Sequence, residues 1–262
     1  MKEQIKRLFG TEKPILAMLH LNGFTPDRVH ELAKREIEQF YENGVDAVLV
    51  EDYFGTPADV EWALDYLKSQ YPGHVYGVNL LGDCDRAFAL AEQYGAAFLQ
   101  MDSVCGHLRP GRHLSGWDKP GIRAKTCDGD FAEALSAARA EHPVFLLGGV
   151  RFKYQLVRSK RSLAEDLALG KERCDAIVVT GEGTGMLTDM EKIREFRRHL
   201  GGFPLIVGAG VTEDSVREQL QIADGAIVGS WFKQEGVTEN PVDPKRVKRL
   251  MDIVKQVREE CP

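Results

Sequence analysis

The chain has 262 residues, 43% of them hydrophobic and 28% charged, with a formal net charge of −6 at pH 7. These values are typical of one globular domain with a large core, and the negative charge disfavours a nucleic-acid-binding surface. No apolar run approaches the roughly 18 residues that a transmembrane helix needs, and residues 1–14 lack the apolar core of a signal peptide, so we expect a cytoplasmic protein. Its five widely spaced cysteines show no zinc-ligand spacing and are expected to be reduced thiols.

Eight short runs rich in Val, Ile and Leu recur along the chain without alternating with polar residues. This pattern predicts strands that are covered on both faces, as in a parallel sheet. The runs are residues 14–19, 47–50, 75–80, 97–101, 144–147, 176–180, 205–207 and 226–228.

The segments between these runs are predicted to be helices. Pro26 and Gly44 bracket the first of them, Pro57 opens the second, and Thr212 is the expected N-cap of a later one. The predicted helices cover residues 27–43, 58–70, 130–140 and 243–260, and one more begins at Glu213.

The even-numbered strands are entered by similar sequences, which read GVDAVLV, GAAFLQM, CDAIVVT and DGAIVG. The odd-numbered strands are entered differently, so the chain reads as a βαβα unit that is repeated four times. An open doubly wound sheet would also satisfy eightfold strand–helix alternation. A closed barrel is favoured because alternate strands fill its interior in layers, which suits this repeat. We predict that residues 1–262 form a single parallel (β/α)8 TIM barrel.

One connection is much longer than the others. Residues 102–129 follow the fourth strand and contain several prolines, glycines, arginines and histidines. A loop of this length in a compact domain is usually functional or disordered. We interpret it as a candidate lid over the site; the alternatives are a plain insertion or an oligomer contact.

Two glycine-rich strand ends indicate an anion site. Active sites of such barrels lie at the C-terminal ends of the strands. Gly208 and Gly210 follow the seventh strand, and Gly229 and Ser230 follow the eighth. Because glycine lets an anion approach backbone N–H groups closely, these four residues are candidate phosphate ligands. The alternative is that they only form tight turns.

The sixth strand ends in a further glycine-rich loop, which contains Gly181, Glu182 and Thr184. This loop resembles an anion-binding nest, but the carboxylate of Glu182 would repel a phosphate. We therefore assign the loop to the substrate more broadly, for contact with a sugar hydroxyl or with the adjacent loop.

The other strand ends carry polar side chains suited to proton transfer. His20 can move a proton near neutral pH, and Glu51 and Asp102 are candidate bases. A histidine at a strand end is, however, often only a hydrogen-bonded structural residue. The candidate catalytic residues are His20, Glu51, Asn79, Asp102 and Lys153.

Two of these assignments have alternatives. Glu51, Asp52 and Asp102, together with His20, could ligate a hard divalent cation. Lys153 could be an electrophile or a Schiff-base lysine, or it could belong to a solvated or anion-attracting basic stretch. We identify no motif for an organic cofactor and assign no metal ligand, and we leave a divalent cation open.

Several segments make the chain similar to a known family. GVDAVLVEDY, TGEGTG, VGAGVTEDSV and DGAIVGSWFK, with PILAMLHL near the start, resemble the BtpA/SgcQ family over nearly the whole length. The resemblance implies a barrel related to ribulose-phosphate-binding enzymes. It also implies a link to photosystem I biogenesis in one branch and to sugar-metabolism operons in another. The chain departs from the family pattern at residues 102–129 and at Gly149, where an acidic residue is common.

The residues and the resemblance together favour a cytosolic enzyme that acts on a small phosphorylated metabolite, such as a sugar phosphate, by acid–base isomerase or lyase chemistry. Its partner would be a small anionic ligand, and the chain could form homo-oligomers. The alternatives are a non-catalytic biogenesis or assembly factor of the BtpA type and a divalent-metal-dependent lyase. The enzyme is favoured because a scaffold needs neither anion-binding loops nor polar strand ends.

Overall fold

Strands and helices alternate along the chain. The structure, a computed structural model, describes residues 2–81, 84–105, 108–110, 129–157 and 160–260. The strands are β1 (Ile15–Leu19), β2 (Ala47–Glu51), β3 (Val75–Asn79), β4 (Phe98–Met101), β5 (Leu108–Pro110), β6 (Phe145–Gly149), β7 (Gln155–Val157), β8 (Ala176–Thr180), β9 (Leu205–Gly208) and β10 (Gly225–Val228). The helices are α1 (Lys2–Phe9), α2 (Pro26–Glu42), α3 (Pro57–Gln70), α4 (Cys84–Tyr94), α5 (Gly129–Glu141), α6 (Leu163–Arg173), α7 (Met190–Leu200), α8 (Val216–Ile222) and α9 (Pro244–Glu260).

Eight of the strands close into a parallel barrel. Going round it, the order is β1, β2, β3, β4, β6, β8, β9 and β10, and β10 pairs with β1. The predicted TIM barrel is confirmed, and every predicted strand matches its barrel strand to within two residues at each end. The short strands β5 and β7 form a separate antiparallel pair beside the barrel.

Alternate residues of the barrel strands point to opposite sides, as the two-residue period of a strand requires. Leu16 and Met18 of β1 belong to the cluster inside the barrel, whereas Ile15, Ala17 and Leu19 belong to the layer between strands and helices. Helix α1, which the sequence patterns did not predict, adds Ile5 and Phe9 to the interior cluster. It therefore closes the barrel at the end opposite the predicted site.

The repeated entry sequences of the even-numbered strands have a structural cause. Asp46, Asp175 and Asp224 directly precede β2, β8 and β10. Each carboxylate accepts a hydrogen bond from a backbone N–H of the preceding barrel strand, which is β1, β6 or β9, at 2.7, 2.8 and 3.0 Å. Each also pairs with an arginine, and the three partners are Arg258, Arg139 and Arg197. The repeat thus ties neighbouring strands together at their N-terminal ends, where barrels carry stabilising rather than catalytic residues.

The helix ends match the predictions in two places and differ in one. Helix α2 begins at Pro26 after the N-cap Thr25, and α3 begins at Pro57 after Thr56, which forms a capping box with Asp59. The predicted start at Glu213 is wrong, because α8 begins at Val216. The reason is a turn in which Thr212 accepts a hydrogen bond from the backbone of Ser215, so the helix starts one turn later.

Two further predictions concern the candidate lid and the absence of membrane-spanning helices. The candidate lid, residues 102–129, lies outside the described residues except for 102–105, 108–110 and 129. No helix within the described ranges is long and apolar enough to cross a membrane.

Candidate active site

At the C-terminal end of the barrel, each of the eight strands has one residue position that faces the interior. These positions continue the alternation of the interior cluster, so seven of them lie directly above an inward apolar side chain and Asn79 lies above Gly77. Round the barrel from β1 they are His20, Glu51, Asn79, Gln100, Gly149, Thr180, Gly208 and Gly229. The four strands β1–β4 therefore present polar side chains, and the other four present glycines and one threonine.

An amide joins two carboxyl groups in the polar half. Asn79 Nδ2 donates to Glu51 Oε1 at 2.8 Å and to Asp102 Oδ1 at 3.2 Å. Gln100 Nε2 donates a further hydrogen bond to Asp102 Oδ1 at 3.0 Å. Both hydrogens of the Asn79 amide are thus donated in hydrogen bonds, and Glu51 and Asp102 belong to one network.

Burial controls the protonation of this network. It raises the pKa of Glu51 to about 8, and although the charge of Lys153 opposes this rise, Asp102 and Asp52 add to it. Burial also raises the pKa of Asp102, against the effects of Lys153, Gln100 and Asn79. At neutral pH the carboxyl group of Glu51 is therefore mainly protonated and can give up a proton.

His20 lies beside this carboxyl group. Its Nε2 is 4.0 Å from Glu51 Oε2, and its ring lies edge-on to Tyr53 with 5.3 Å between centroids. Burial, together with the charges of Lys233 and Lys153, lowers the pKa of His20 well below its ordinary value. The imidazole is therefore neutral, and its approach to Glu51 is a contact between two uncharged groups rather than an ion pair.

Lys153 is held at the mouth by a strained loop after β6. Its backbone N–H donates to Thr180 Oγ1 at 2.7 Å, and its Nζ donates to Thr184 Oγ1 at 3.2 Å. Arg151 and Tyr154 on either side have φ values of 47° and 61°. Left-handed backbone at non-glycine residues is unfavourable and tends to occur at functional sites, so this loop marks Lys153 as a residue whose position matters.

A cavity of about 80 Å³ opens beside these groups. Since a water in the liquid occupies about 30 Å³, the cavity has room for a group of roughly the size of a phosphate. Its lining includes His20, Lys153, Thr184, Gly210, Gly229 and Ser230. Side chains from both halves of the mouth therefore face one cavity.

Three of the four predicted phosphate ligands lie in this lining, and the fourth does not. Gly210 has a φ of 64°, and a Cβ at this position would collide with the backbone carbonyl of Met186. A Cβ on Gly229 would lie 2.8 Å from His20 Cε1, so glycine is what allows the imidazole to reach this wall. Gly208 lies below the lining, where a Cβ would approach Val178 to 3.0 Å.

The loop after β8 reaches the cavity through Thr184 and Gly185, and the other predicted residues of this loop do not line it. Gly181 is buried against the backbone of Met186 and Leu187. The side chain of Glu182 is 85% exposed, and its carboxylate lies 3.7 Å from Lys192, away from the mouth. The carboxylate that would have repelled a phosphate is therefore directed elsewhere.

The metal-ligand alternative does not fit the geometry of these carboxylates. Asp52 Oδ1 accepts a hydrogen bond from the backbone N–H of Leu81 at 2.8 Å. Within the ranges that the structure describes, no group of three or more His, Cys, Asp or Glu side chains is arranged to hold a metal ion. Glu51, Asp52 and Asp102 thus lie at the ends of β2 and β4 without forming a common ligand set.

Several residues of this site were not among the predicted ones. Gln100 lies at the end of the fourth predicted strand, but the sequence indicated no role for it; its inward position follows from strand alternation and from the register of β4 beside β6. Tyr154 accepts a hydrogen bond from the backbone N–H of Thr184 at 2.7 Å, and Trp231 lines the cavity. The sequence GSWFK pointed to the neighbourhood of Trp231, but no local pattern indicated Tyr154.

Comparison with known proteins identifies relatives over the full barrel. A model of the BtpA family matches residues 11–256. Protein MJ1115 of Methanocaldococcus jannaschii is 24% identical, over 94% of this chain and 97% of its own length. The sgc region protein SgcQ of Escherichia coli is 26% identical, over 97% and 98%. The photosystem I biogenesis protein BtpA of Synechocystis is 25% identical, over 94% and 89%.

Solved structures share the fold at low sequence identity. Thiamine phosphate pyrophosphorylase from Pyrococcus furiosus superposes with a TM-score of 0.60 at 13% identity, over 97% of this chain and 98% of that one. Phosphoribosyl anthranilate isomerase from Thermus thermophilus does so with a TM-score of 0.58 at 12% identity, over 94% and 100%. At these identities the likeness establishes a common barrel architecture.

Proposed function

The chain belongs to the BtpA family, and on that premise we propose that it is a cytosolic enzyme acting on a small phosphorylated metabolite, such as a sugar phosphate, by acid–base isomerase or lyase chemistry. One observation carries this proposal: His20 and Lys153 line the same cavity as Gly210, Gly229 and Ser230. A phosphate group held there would bring the rest of its molecule against the proton-transfer groups. The names of two proteins with the same fold, thiamine phosphate pyrophosphorylase and phosphoribosyl anthranilate isomerase, also refer to phosphorylated compounds.

The glycine half of the mouth would bind the phosphate. Gly210 and Gly229 line the cavity, and the backbone N–H groups of their two loops would donate hydrogen bonds to the oxygens of the anion. Ser230 and Thr184 add hydroxyl groups to the lining, and Lys153 adds a positive charge. The ammonium group of Lys153 would stabilise the bound phosphate and any negative charge that develops on the substrate.

The polar half would transfer the protons. Glu51, with a pKa raised to about 8, is the proposed general acid, and the neutral imidazole of His20 is the proposed general base. Asn79 holds the carboxyl group of Glu51 in place and links it to Asp102. The pair Glu51 and His20 can therefore give and take a proton on adjacent atoms of one ligand, as isomerisation or bond cleavage next to a carbonyl requires.

The phosphate site can be tested by thermal unfolding. Inorganic phosphate should raise the melting temperature of the wild type, because a ligand that binds only the folded state stabilises it. Ser230→Asp places a carboxylate in the cavity and should abolish the increase, whereas Ser230→Ala should keep most of it. An equal increase in all three proteins would locate the anion elsewhere.

The reaction can be tested by a metabolite-library screen, with turnover followed by mass spectrometry. His20→Ala and Glu51→Gln should keep the fold and the phosphate-dependent stabilisation while losing turnover by roughly 10²–10⁴-fold, the usual contribution of a general acid or base. Undiminished turnover in both variants would contradict these assignments.

A second candidate function is a non-catalytic assembly role, like the one in the name of the photosystem I biogenesis protein BtpA. Phe24, Met186, Leu187 and Val237 are large exposed hydrophobic residues on loops that follow β1, β8 and β10. Exposed apolar groups on one face of a protein often mark an interaction surface. If no library compound is turned over and a protein subunit co-purifies stoichiometrically, the assembly role replaces the enzyme.

A further inference from the structure

Several buried polar atoms near the barrel mouth have no hydrogen-bond partner among the described residues. They include Trp231 Nε1, together with Gln100 Oε1 and His20 Nδ1, whose residues are both 3% exposed. Buried polar atoms in folded proteins nearly always have a partner, so an orphan atom at a candidate site indicates a place that a ligand or a water fills.

The orientation of Gln100 determines what kind of partner it needs. Its Nε2 donates to Asp102 Oδ1 at 3.0 Å, so Oε1 points away from that carboxyl group. A carbonyl oxygen can only accept, and the two amide hydrogens of the neighbouring Asn79 are already given to Glu51 and Asp102. The missing partner of Gln100 is therefore a donor, such as a hydroxyl group of the ligand.

The position of Gln100 determines how far that hydroxyl lies from the phosphate. In the closed order of eight strands, β4 is directly opposite β10, and β10 leads into Gly229 and Ser230. Eight strands spaced by about 4.8 Å and tilted by about 36° to the barrel axis enclose a mouth about 15 Å across, which the side chains on both sides narrow. A ligand that reaches from Ser230 to Gln100 passes His20 and Glu51 on the way, because β1 and β2 lie between them on the ring.

We propose that Gln100 is a specificity-determining residue which accepts a hydrogen bond from a hydroxyl group at the end of the substrate distant from the phosphate. The substrate is accordingly a polyhydroxylated monophosphate with a chain of about four or five carbons, the length that spans the narrowed mouth. This inference rests on the proposed phosphate site, and it adds the class and the length of the molecule that the site accepts.

Matched pairs of phosphate esters test the inference by titration calorimetry. The four-carbon pair is n-butyl phosphate and erythritol 4-phosphate, and the five-carbon pair is n-pentyl phosphate and ribitol 5-phosphate. Inorganic phosphate is the reference ligand. Wild type should prefer the hydroxylated member of a pair by roughly five- to tenfold, the usual effect of satisfying a buried acceptor. Gln100→Leu should lose that preference and keep its affinity for inorganic phosphate.

Two further variants make the result decisive. Gln219→Leu is the matched control, because Gln219 is also fully buried with an unpartnered amide nitrogen but lies on α8. It should keep the preference for hydroxylated esters. Gln100→Met retains an unbranched side chain of similar length, and it should reproduce the result of Gln100→Leu if the leucine variant folds poorly.

The outcomes separate this inference from the function on which it rests. Wild type that binds neither inorganic phosphate nor any ester overturns the phosphate site itself. Wild type that binds phosphate but does not distinguish the members of a pair overturns the inference alone. The inference is equally overturned if the preference survives in both Gln100 variants, since a water then satisfies the amide.

Discussion

The two halves of the barrel mouth are built from different kinds of residue. Strands β1–β4 end in His20, Glu51, Asn79 and Gln100, whose side chains form the chemistry of the mouth. Strands β6, β8, β9 and β10 lead into Gly149, Thr180, Gly208 and Gly229, and the three glycines leave room for the backbone of Asp102 and for the side chains of Val178 and His20. The contrast suggests a division of work, in which one half reacts with the ligand and the other half holds it.

Space explains why the second half cannot carry large side chains. A Cβ on Gly149 would collide with the backbone carbonyl of Asp102, and a Cβ on Gly229 would press on the ring of His20. Gly149 therefore has no room for a side chain in this protein. Each half also constrains the other, since the glycines of one side determine where the polar groups of the other side can lie.

The largest expected effect is a loss of stability, and it distinguishes Lys233, which is buried in an ion pair, from Lys153, which is the proposed phosphate ligand. Lys233 follows β10, but its Nζ forms hydrogen bonds of 2.6 and 2.7 Å to the carboxylate of Glu36 and is 1% exposed. Lys233→Met leaves that carboxylate buried without its cation, which should cost about 3–5 kcal/mol of unfolding free energy in urea. Lys153→Met should instead weaken phosphate binding and change stability little.

Controls for this comparison come from the same chain. The exposed pair of Lys248 and Asp252 should contribute less than about 1 kcal/mol, so Lys248→Met is the reference for losing a lysine. The double variant Lys233→Met with Glu36→Leu should recover most of the lost stability. A Lys233→Met protein of normal stability that no longer binds phosphate would place Lys233 in the ligand site.

The next largest effect is a dependence of the unfolding free energy on pH, which arises from Glu51 in the polar half of the mouth. Because the pKa of Glu51 is raised from 4.5 to about 8, folding favours its protonated form. Its contribution to stability is therefore complete below pH 4.5 and is lost as the pH rises through about 8. Over that interval the unfolding free energy of wild type should fall relative to that of Glu51→Gln by roughly 2–4 kcal/mol.

Urea unfolding of both proteins at several pH values measures this difference. Asp102 and His20 titrate in both proteins, so their contributions largely cancel in the comparison. A constant difference between pH 4.5 and 8 would mean that Glu51 is ionised in the folded protein, and the general acid would have to be another group.

The smallest effect probes the contact between the two halves. In Gly229→Ala the new methyl group presses on the ring of His20, which Tyr53 supports from another side. Affinity for inorganic phosphate should fall roughly tenfold, as expected for a modest overpacking of the cavity wall. Gly202→Ala, where a Cβ meets nothing within 4 Å, should bind phosphate like wild type. Equal binding by both variants would mean that the halves are not in contact at this wall.

The fold could be predicted because its determinants are local. Each barrel strand is a short apolar run, and the repeated aspartates mark the entry to three of them. Helix α1 was missed because it precedes the repeating unit, and the turn at Thr212 delayed α8 because a side-chain hydrogen bond competed with the helix start.

The candidate site residues could be predicted only at the ends of the barrel strands and in the loops that follow them. His20, Glu51 and Asn79 lie at such ends, and the structure brings them together with Asp102. Lys233 could not be assigned, because its partner Glu36 is 197 residues away in the sequence. The importance of Gln100 depends on an unpartnered atom, which is a property of three-dimensional packing that no sequence pattern records.

The central claim is that the phosphate cavity and the proton-transfer groups form one site, and the titration of His20 tests it most directly. The carbon-13 signal of its ring, assigned by its absence in a His20→Gln variant, can be followed against pH with and without inorganic phosphate. Burial and two lysines lower the pKa of His20, and a phosphate bound in the cavity that His20 lines should offset those lysines. The account predicts that phosphate raises the pKa of His20; an unchanged titration at a phosphate concentration that stabilises the fold would contradict it.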